Sequence, residues 1–189
     1  MKSIITDRQK EEFYIKLYFN TTSGFEIAGI RRAFLDFSRT LEIIDENRQT
    51  FKASAENYLL LSLKIFLEKE TITQEQYDTQ HENWCLELIE IWGQLNYGQA
   101  QKWINMTLKY WLLFGENRIK GIETNAKHFH IPIDSFVQKG LFKESKPSPW
   151  SKISDYGKYM KYQHEFRSRK TGNYPLVDEF DFFNSYNPK

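Results

Sequence analysis

Tyr97-Gly98-Gln99-Ala100-Gln101-Lys102 begins the most informative part of this sequence, which extends to Leu141. A mostly apolar, aromatic-rich helical pattern follows, and this part closes with His130-Ile131-Pro132-Ile133-Asp134-Ser135-Phe136-Val137. Lys102 lies near the start of the apolar pattern, and Asp134 follows a proline at the expected start of the next helix. Buried helices rarely carry unpaired charges, so these two residues are the first candidates for a functional site.

The hydrophobic pattern is helical along nearly the whole chain. Glycine (9) and proline (5) are scarce, which argues against an all-β fold. We predict an all-α fold, a single compact domain over residues 1–189 with about seven or eight helices, in which 171–189 form an extended or partly ordered tail that could dock on the body. The expected helices cover about residues 8–20, 25–46, 52–69, 73–92, 98–114, 132–141 and 151–167.

Signals at helix ends support several of these boundaries. Thr73 with Gln76 three residues later forms a capping-box pattern, and Gly93 and Gly115 are natural C-terminal stops. Pro132 fits the first turn of the helix that it precedes.

Composition limits the classes of function. The 189 residues fit one domain with a sizeable core. The formal net charge is +1, from 26 Lys and Arg against 25 Asp and Glu, so any nucleic-acid binding needs a local basic patch. The single Cys85 excludes an internal disulfide and a cysteine-based metal cluster, and its apolar context predicts a buried, inert thiol.

Targeting signals are not visible in the sequence. The N-terminal residues soon become strongly charged, which is unlike a secretory signal. The longest apolar runs fall short of the roughly 18–20 residues that span a membrane. We therefore expect no membrane association and a cytoplasmic location.

Lys102 supports two interpretations. Lys102, Asn105 and Lys109 are spaced by three and four residues, so they could form the solvated stripe of an amphipathic helix. Alternatively, Lys102 is a catalytic amine, because the positive helix N-terminus and partial burial both favour the neutral, nucleophilic form of a lysine.

Asp134 has a similar pair of interpretations. An aspartate at this place can cap a helix and stabilise it. The same helix N–H groups would keep the carboxylate ionised, as required of a residue that stabilises a cationic transition state.

Together the two segments resemble the helix-hairpin-helix DNA glycosylase superfamily. Gly98-Gln99-Ala100-Gln101-Lys102 is similar to the lysine segment of that superfamily, and Ile131-Pro132-Ile133-Asp134-Ser135-Phe136-Val137 to its aspartate segment. The interval of 32 residues between Lys102 and Asp134 is similar to that of the archaeal 8-oxoguanine glycosylase branch. The resemblance covers about residues 97–141. The Leu-Pro-Gly-x-Gly hairpin that holds a DNA phosphate is replaced by Gln94-Leu95-Asn96-Tyr97-Gly98.

The resemblance implies an all-α enzyme that excises bases from DNA without a cofactor or a metal. Lys102 would form a Schiff base with the sugar C1′ of a flipped nucleotide, and Asp134 would assist. Basic and aromatic residues alternate near the C-terminus, as in nucleic-acid-binding surfaces, although they could equally pack an ordinary surface helix. The expected substrate contacts are Gln99, Gln101, Asn105, Lys109, His130, Trp150, Tyr156, Lys158 and Lys161.

Two other hypotheses remain open. The chain could be a non-enzymatic helical module that binds protein or nucleic acid. Alternatively, His128, His130 and Asp134 could form a metal site, although His130 could instead orient the Asp134 carboxylate through a hydrogen bond. The sequence leaves the oligomeric state undetermined.

Overall fold

The computed structural model describes residues 4–41, 48–169 and 171–186. Within these ranges it contains eight α-helices and no β-strand, packed around one hydrophobic core, which confirms the predicted all-α class. The helices are α1 Asp7–Tyr18, α2 Phe25–Phe37, α3 Arg48–Leu67, α4 Gln74–Trp92, α5 Tyr97–Phe114, α6 Ser135–Gly140, α7 Tyr156–Ser168 and α8 Pro175–Ser185.

Helix α5 is the centre of the domain. All of its residues from Gly98 to Trp111 are buried, because neighbouring elements cover every side of it. Helix α2 crosses it closely: the indole N–H groups of Trp103 and Trp111 donate to the carbonyls of Ile30 and Glu26, each at 3.0 Å. None of the described helices combines the length and the apolar character that a membrane crossing requires.

The local signals predicted several ends correctly. Thr73 and Gln76 form the expected capping box at the start of α4, and Gly93 ends that helix with φ 73°. A second capping box, between Asn96 and Gln99, starts α5. These ends depend only on residues close in the chain, which is why sequence patterns detect them.

The predicted helix over residues 25–46 was too long. Helix α2 ends at Phe37, and a short 3₁₀ turn follows over Ser38–Thr40. The Thr40 hydroxyl donates to the Phe37 carbonyl at 2.8 Å, and the side-chain amide of Gln99 donates to the Thr40 carbonyl at 3.0 Å. These bonds replace the next helical turn. Residues 42–46 of the prediction lie outside the described residues.

The predicted helix over 132–141 starts later than expected. Asp134 is the N-cap of α6, and Pro132 lies in an extended segment before it rather than in its first turn. The predicted helix over 151–167 also starts late: a 3₁₀ turn covers Trp150–Lys152, and α7 begins only after the Asp155 cap.

The C-terminal part forms a helix where an extended or partly ordered tail was expected. Pro175 starts α8, where its missing N–H has no cost. The helix docks on α6, since the Phe136 ring lies 5.2 Å from Phe182 and 4.9 Å from Tyr186, measured between centroids. Helix α8 thereby becomes one wall of a cleft beside α5.

Candidate active site

Lys102 and Asp134, the two residues singled out in the sequence, meet in the structure. The Lys102 Nζ atom lies 2.6 Å from Asp134 Oδ2. Only 6% of the Lys102 side chain is exposed, against 25% of the Asp134 side chain. The Lys102 side chain is therefore almost completely enclosed by the protein, whereas the Asp134 carboxylate is partly exposed to solvent.

The pair lies in a cleft of about 440 Å³, within the usual size range of small-ligand sites. One face of α5 forms its floor, because Lys102, Met106 and Tyr110 follow one another at intervals of four residues. At 1.5 Å per residue this floor is about 12 Å long. The walls come from α6, α8 and the 3₁₀ turn that follows α2, through Phe136, Phe180, Phe183 and Arg39, among others.

Asp134 is held in its charged form. Burial alone would raise the pKa of its carboxyl, but the charge and hydrogen bond of Lys102 outweigh burial, and the pKa is lowered. The backbone N–H of Val137 also donates to Asp134 Oδ1 at 2.9 Å, which is the capping bond of α6. The helix-capping and the charge-stabilising interpretations of this aspartate thus describe the same geometry.

A second buried ion pair faces the same cleft. Lys109 pairs with Glu179 of α8, and both side chains are more than nine-tenths buried. The Lys109 ammonium also lies 4.6 Å from the centre of the Phe180 ring. The solvated-stripe interpretation is therefore wrong, since Lys102, Asn105 and Lys109 are all buried.

Side-chain amides hold the extended segment that precedes Asp134. Gln101 accepts a hydrogen bond from the Ile133 N–H at 3.1 Å and donates to the Ile133 carbonyl at 2.8 Å. Gln163 of α7 makes the same two bonds to Ile131, at 3.1 and 2.9 Å. No local pattern singles out Gln163, because its partner lies 32 residues away.

His130 does not contact Asp134, in contrast to the expected hydrogen bond. Its Nε2 lies 2.8 Å from Asp78 Oδ1, and its Nδ1 lies 2.7 Å from the Tyr159 hydroxyl. Burial lowers the pKa of His130 to about 4. The neutral ring thus donates from Nε2 to Asp78 and accepts the Tyr159 proton at Nδ1.

Asn105 and Tyr156, both expected to contact substrate, belong to the same buried network. Asn105 Nδ2 donates to the Tyr159 hydroxyl at 2.8 Å, and its Oδ1 lies 3.0 Å from His81 Nε2. The other His81 nitrogen lies 2.9 Å from the Tyr156 hydroxyl. These polar groups form hydrogen bonds with one another inside the fold.

The other expected contacts are distributed over the molecule. Gln99 caps α5 and holds Thr40, while Trp150 is buried against α5, so its ring is not free to stack on a base. Lys158 and Lys161 are exposed on α7, away from the described residues that line the cleft. Of the predicted site residues, the cleft brings together Lys102, Asp134 and Lys109.

The first turn of α5, which contains Gly98, is covered by residues 150–153. The Gly98 N–H donates to the Ile153 carbonyl at 2.9 Å, and a Cβ atom at Gly98 would lie 1.9 Å from the Trp150 carbonyl oxygen. The backbone amide of Gly98 is thereby engaged within the fold. A DNA phosphate would have to be held elsewhere.

The metal-site hypothesis has no geometric support in the described part of the chain. The two ring nitrogens of His130 contact Asp78 and Tyr159, His128 Nδ1 lies 3.0 Å from Gln74 Oε1, and Asp134 pairs with Lys102. Among the described residues no three His, Cys, Asp or Glu side chains are placed to hold a metal ion.

The fold and the cleft define an all-α domain with a buried lysine–aspartate pair at the junction of two helices. Comparison of the chain with protein-family models, characterised proteins and solved structures found no match.

Proposed function

We propose that this protein is a DNA base-excision enzyme in which Lys102 is the amine nucleophile. The observation that carries the proposal is the 2.6 Å contact between Lys102 Nζ and Asp134 Oδ2 inside a cleft of about 440 Å³. A buried lysine amine and a carboxylate in one cleft are the types of group that Schiff-base chemistry uses, as the nucleophile and as the group that stabilises positive charge.

Each residue of the pair has a distinct role in this chemistry. After losing its ammonium proton to solvent, the Lys102 amine would attack C1′ of the sugar. The base would leave with the bonding electron pair and take a proton from the attacking nitrogen. The C1′–O4′ bond would then break as the C=N bond of the iminium forms, and O4′ would take a proton from water. Asp134 stays ionised because its pKa is lowered, so it would stabilise the positive charge that develops on the sugar and on the resulting iminium.

The charges that line the cleft do not by themselves account for the DNA binding that the proposal requires. Three basic and three acidic side chains line the cleft: Arg39, Lys102 and Lys109, with Asp36, Asp134 and Glu179. Attraction of a polyanion must therefore come from exposed cations elsewhere, such as Lys158 and Lys161 of α7. Access to DNA fits the cytoplasmic location expected from the sequence.

Borohydride trapping tests the proposal. The protein is incubated with DNA that carries one abasic site, or one 8-oxoguanine, together with sodium borohydride. On abasic DNA the sugar aldehyde and the neutral amine condense with loss of one water, and borohydride reduces the imine to a stable adduct. We expect an adduct with the wild-type protein and none with Lys102→Gln.

Lys139→Gln is the control, because it removes an exposed lysine from α6 that does not line the cleft. This variant should still form the adduct. Absence of an adduct with the wild-type protein, or an undiminished adduct with Lys102→Gln, would exclude the proposal.

A second candidate function is a binding module for another protein, favoured by the outer face of α1. Phe13, Tyr14 and Leu17 are 61%, 63% and 72% exposed. Beside them lies a groove of about 560 Å³, with Tyr18 and Leu113 among its lining residues. Scattered exposed apolar residues are ordinary, but a contiguous group of this kind is typical of interaction surfaces.

Crosslinking in cell extract distinguishes this candidate. The double variant Phe13→Ser/Leu17→Ser removes the centre of the α1 face, whereas Leu35→Ser/Leu61→Ser removes two comparably exposed leucines from α2 and α3. A binding module should lose its crosslinked partner only in the α1 variant. Equal crosslinking of both variants would eliminate the α1 surface as the binding site.

A further inference from the structure

The segment Ile131-Pro132-Ile133, which carries Asp134, is buried without being part of a helix or a strand. Buried backbone N–H and C=O groups need partners, and the described part of the chain contains no strand that could supply them. Pro132 has no N–H to satisfy, so the donors in question are those of Ile131 and Ile133.

Two glutamines supply the missing partners in the same way. Each side-chain amide accepts from one backbone N–H and donates to the carbonyl of the same residue, Gln101 on Ile133 and Gln163 on Ile131. Both glutamines are almost fully buried. The segment is thus clamped from α5 on one side and from α7 on the other.

The Gln101 clamp is directly coupled to the ion pair. Gln101 precedes Lys102 on α5, and Ile133 precedes Asp134. The Gln101–Ile133 and Lys102–Asp134 contacts therefore join neighbouring residues of the same two chain segments, and each contact joins residues that are 32 positions apart. The Gln163 clamp lies two residues further from Asp134.

We propose that Gln101 is a positioning residue, whose clamp on Ile133 sets the position of the Asp134 carboxylate relative to the Lys102 amine. Its effect on catalysis rests on the proposed function, but its effect on the ion pair does not. Breaking the Gln101 clamp should loosen the pair, whereas breaking the Gln163 clamp should leave it in place.

The variants Gln101→Met and Gln163→Met form a matched comparison. Methionine keeps the length of the side chain and, in each variant, removes the two bonds from a buried glutamine to the segment. Gln101→Met also removes the donation to the Gly98 carbonyl and the bond accepted from Asn105. The first readout is the pKa of the Asp134 carboxyl, followed by ¹³C NMR during a pH titration. We expect this pKa to rise toward its ordinary value in Gln101→Met and to stay low in Gln163→Met.

The second readout is the rate of borohydride trapping on abasic DNA. A displacement of about 1 Å at a reacting group can lower a rate by roughly 100-fold, so we expect a loss of that order for Gln101→Met and a much smaller one for Gln163→Met. If Gln101→Met does not fold, Gln101→Leu serves instead, with Gln163→Leu as its counterpart. Leucine also lacks the amide that bonds to the backbone, so the same changes in the Asp134 pKa are expected.

The outcomes separate the two proposals. Equal pKa changes in the two methionine variants, or no change in either, would overturn the positioning role even if the wild-type protein forms the adduct. A wild-type protein that forms no adduct, but whose Asp134 pKa rises only when Gln101 is replaced, would overturn the enzyme proposal and support the positioning role.

Discussion

At the scale of single residues, Lys102 and Asp134 differ in how well each can be stabilised when its partner is removed. Loss of Lys102 leaves a carboxylate that is one-quarter exposed and still bonded to the Val137 N–H. Loss of Asp134 leaves an ammonium group that is almost completely buried. A buried charge without a partner is the costlier of these two results.

We therefore predict that Asp134→Ala destabilises the protein by about 3–5 kcal/mol, the cost of an uncompensated buried charge. Lys102→Met should cost less, because the remaining carboxylate can be hydrated. Urea unfolding at pH 7 measures both free energies of unfolding. The opposite order would mean that the Lys102 amine, and not the Asp134 carboxylate, is the group that water can reach.

The sequence predicted both members of this pair but not their surroundings. Lys102 and Asp134 were recognisable because each charge interrupts a local apolar pattern. Lys109 and Gln101 were expected to contact substrate, but their partners Glu179 and Ile133 lie in distant parts of the chain and could not be predicted. Gln163 was not selected at all, because a buried amide that binds backbone looks like an ordinary polar residue in a sequence.

At the scale of elements, contacts between residues that are distant in the chain determine helix starts that the local sequence pattern predicts incorrectly. Pro132 was expected in the first turn of a helix, yet the two glutamine clamps keep the segment around it extended, and α6 begins only at its Asp134 cap. Helices α4 and α5, whose caps are local, start as their sequences indicate.

The tight contact between α5 and the 150–153 segment gives a prediction at this scale. Gly98→Ala would place a Cβ atom 1.9 Å from the Trp150 carbonyl oxygen, so the segment must shift and the protein should lose about 1–3 kcal/mol. Gly157→Ala is the matched control, because Gly157 is the second residue of α7 as Gly98 is of α5, and its Cβ atom would lie 3.3 Å from Asp155 Oδ1.

Thermal unfolding of the two alanine variants tests this contact. Gly157→Ala should be neutral or stabilising by up to about 1 kcal/mol, as expected for alanine in a helix. If Gly98→Ala is equally well tolerated, residues 150–153 do not pack on the start of α5 as the structure shows.

At the scale of the whole molecule, α5 connects two regions of different chemistry. One side of the helix faces the cleft with its two lysine–carboxylate pairs, and another side faces the buried network around His81, Asn105 and Tyr159. The sequence indicated that the aromatic residues near the C-terminus bind nucleic acid or pack a surface helix, but it could not show that Tyr156 and Tyr159 form hydrogen bonds in the core.

The buried network makes stability depend on pH. The pKa of His130 is lowered from 6.5 to about 4, so between these values the unfolded chain binds a proton that the folded protein does not. The stabilisation is present above about pH 6.5 and is lost as the pH falls toward 4. We predict a loss of about 3 kcal/mol from His130 over this range.

Urea unfolding at pH 7, 5.5 and 4.5 measures this loss. The variant His130→Gln keeps a neutral hydrogen-bonding side chain and should show a flatter dependence on pH than the wild-type protein. Parallel curves for the two proteins would show that His130 is not the group that titrates.

The most direct test of the account is to locate the borohydride adduct by mass spectrometry of the digested protein. The proposed nucleophile is the Lys102 amine next to Asp134, although a second buried lysine, Lys109, lines the same cleft. We predict that the reduced sugar is attached to the peptide at Lys102. An adduct on Lys109, on an exposed lysine, or on the N-terminus would contradict that claim.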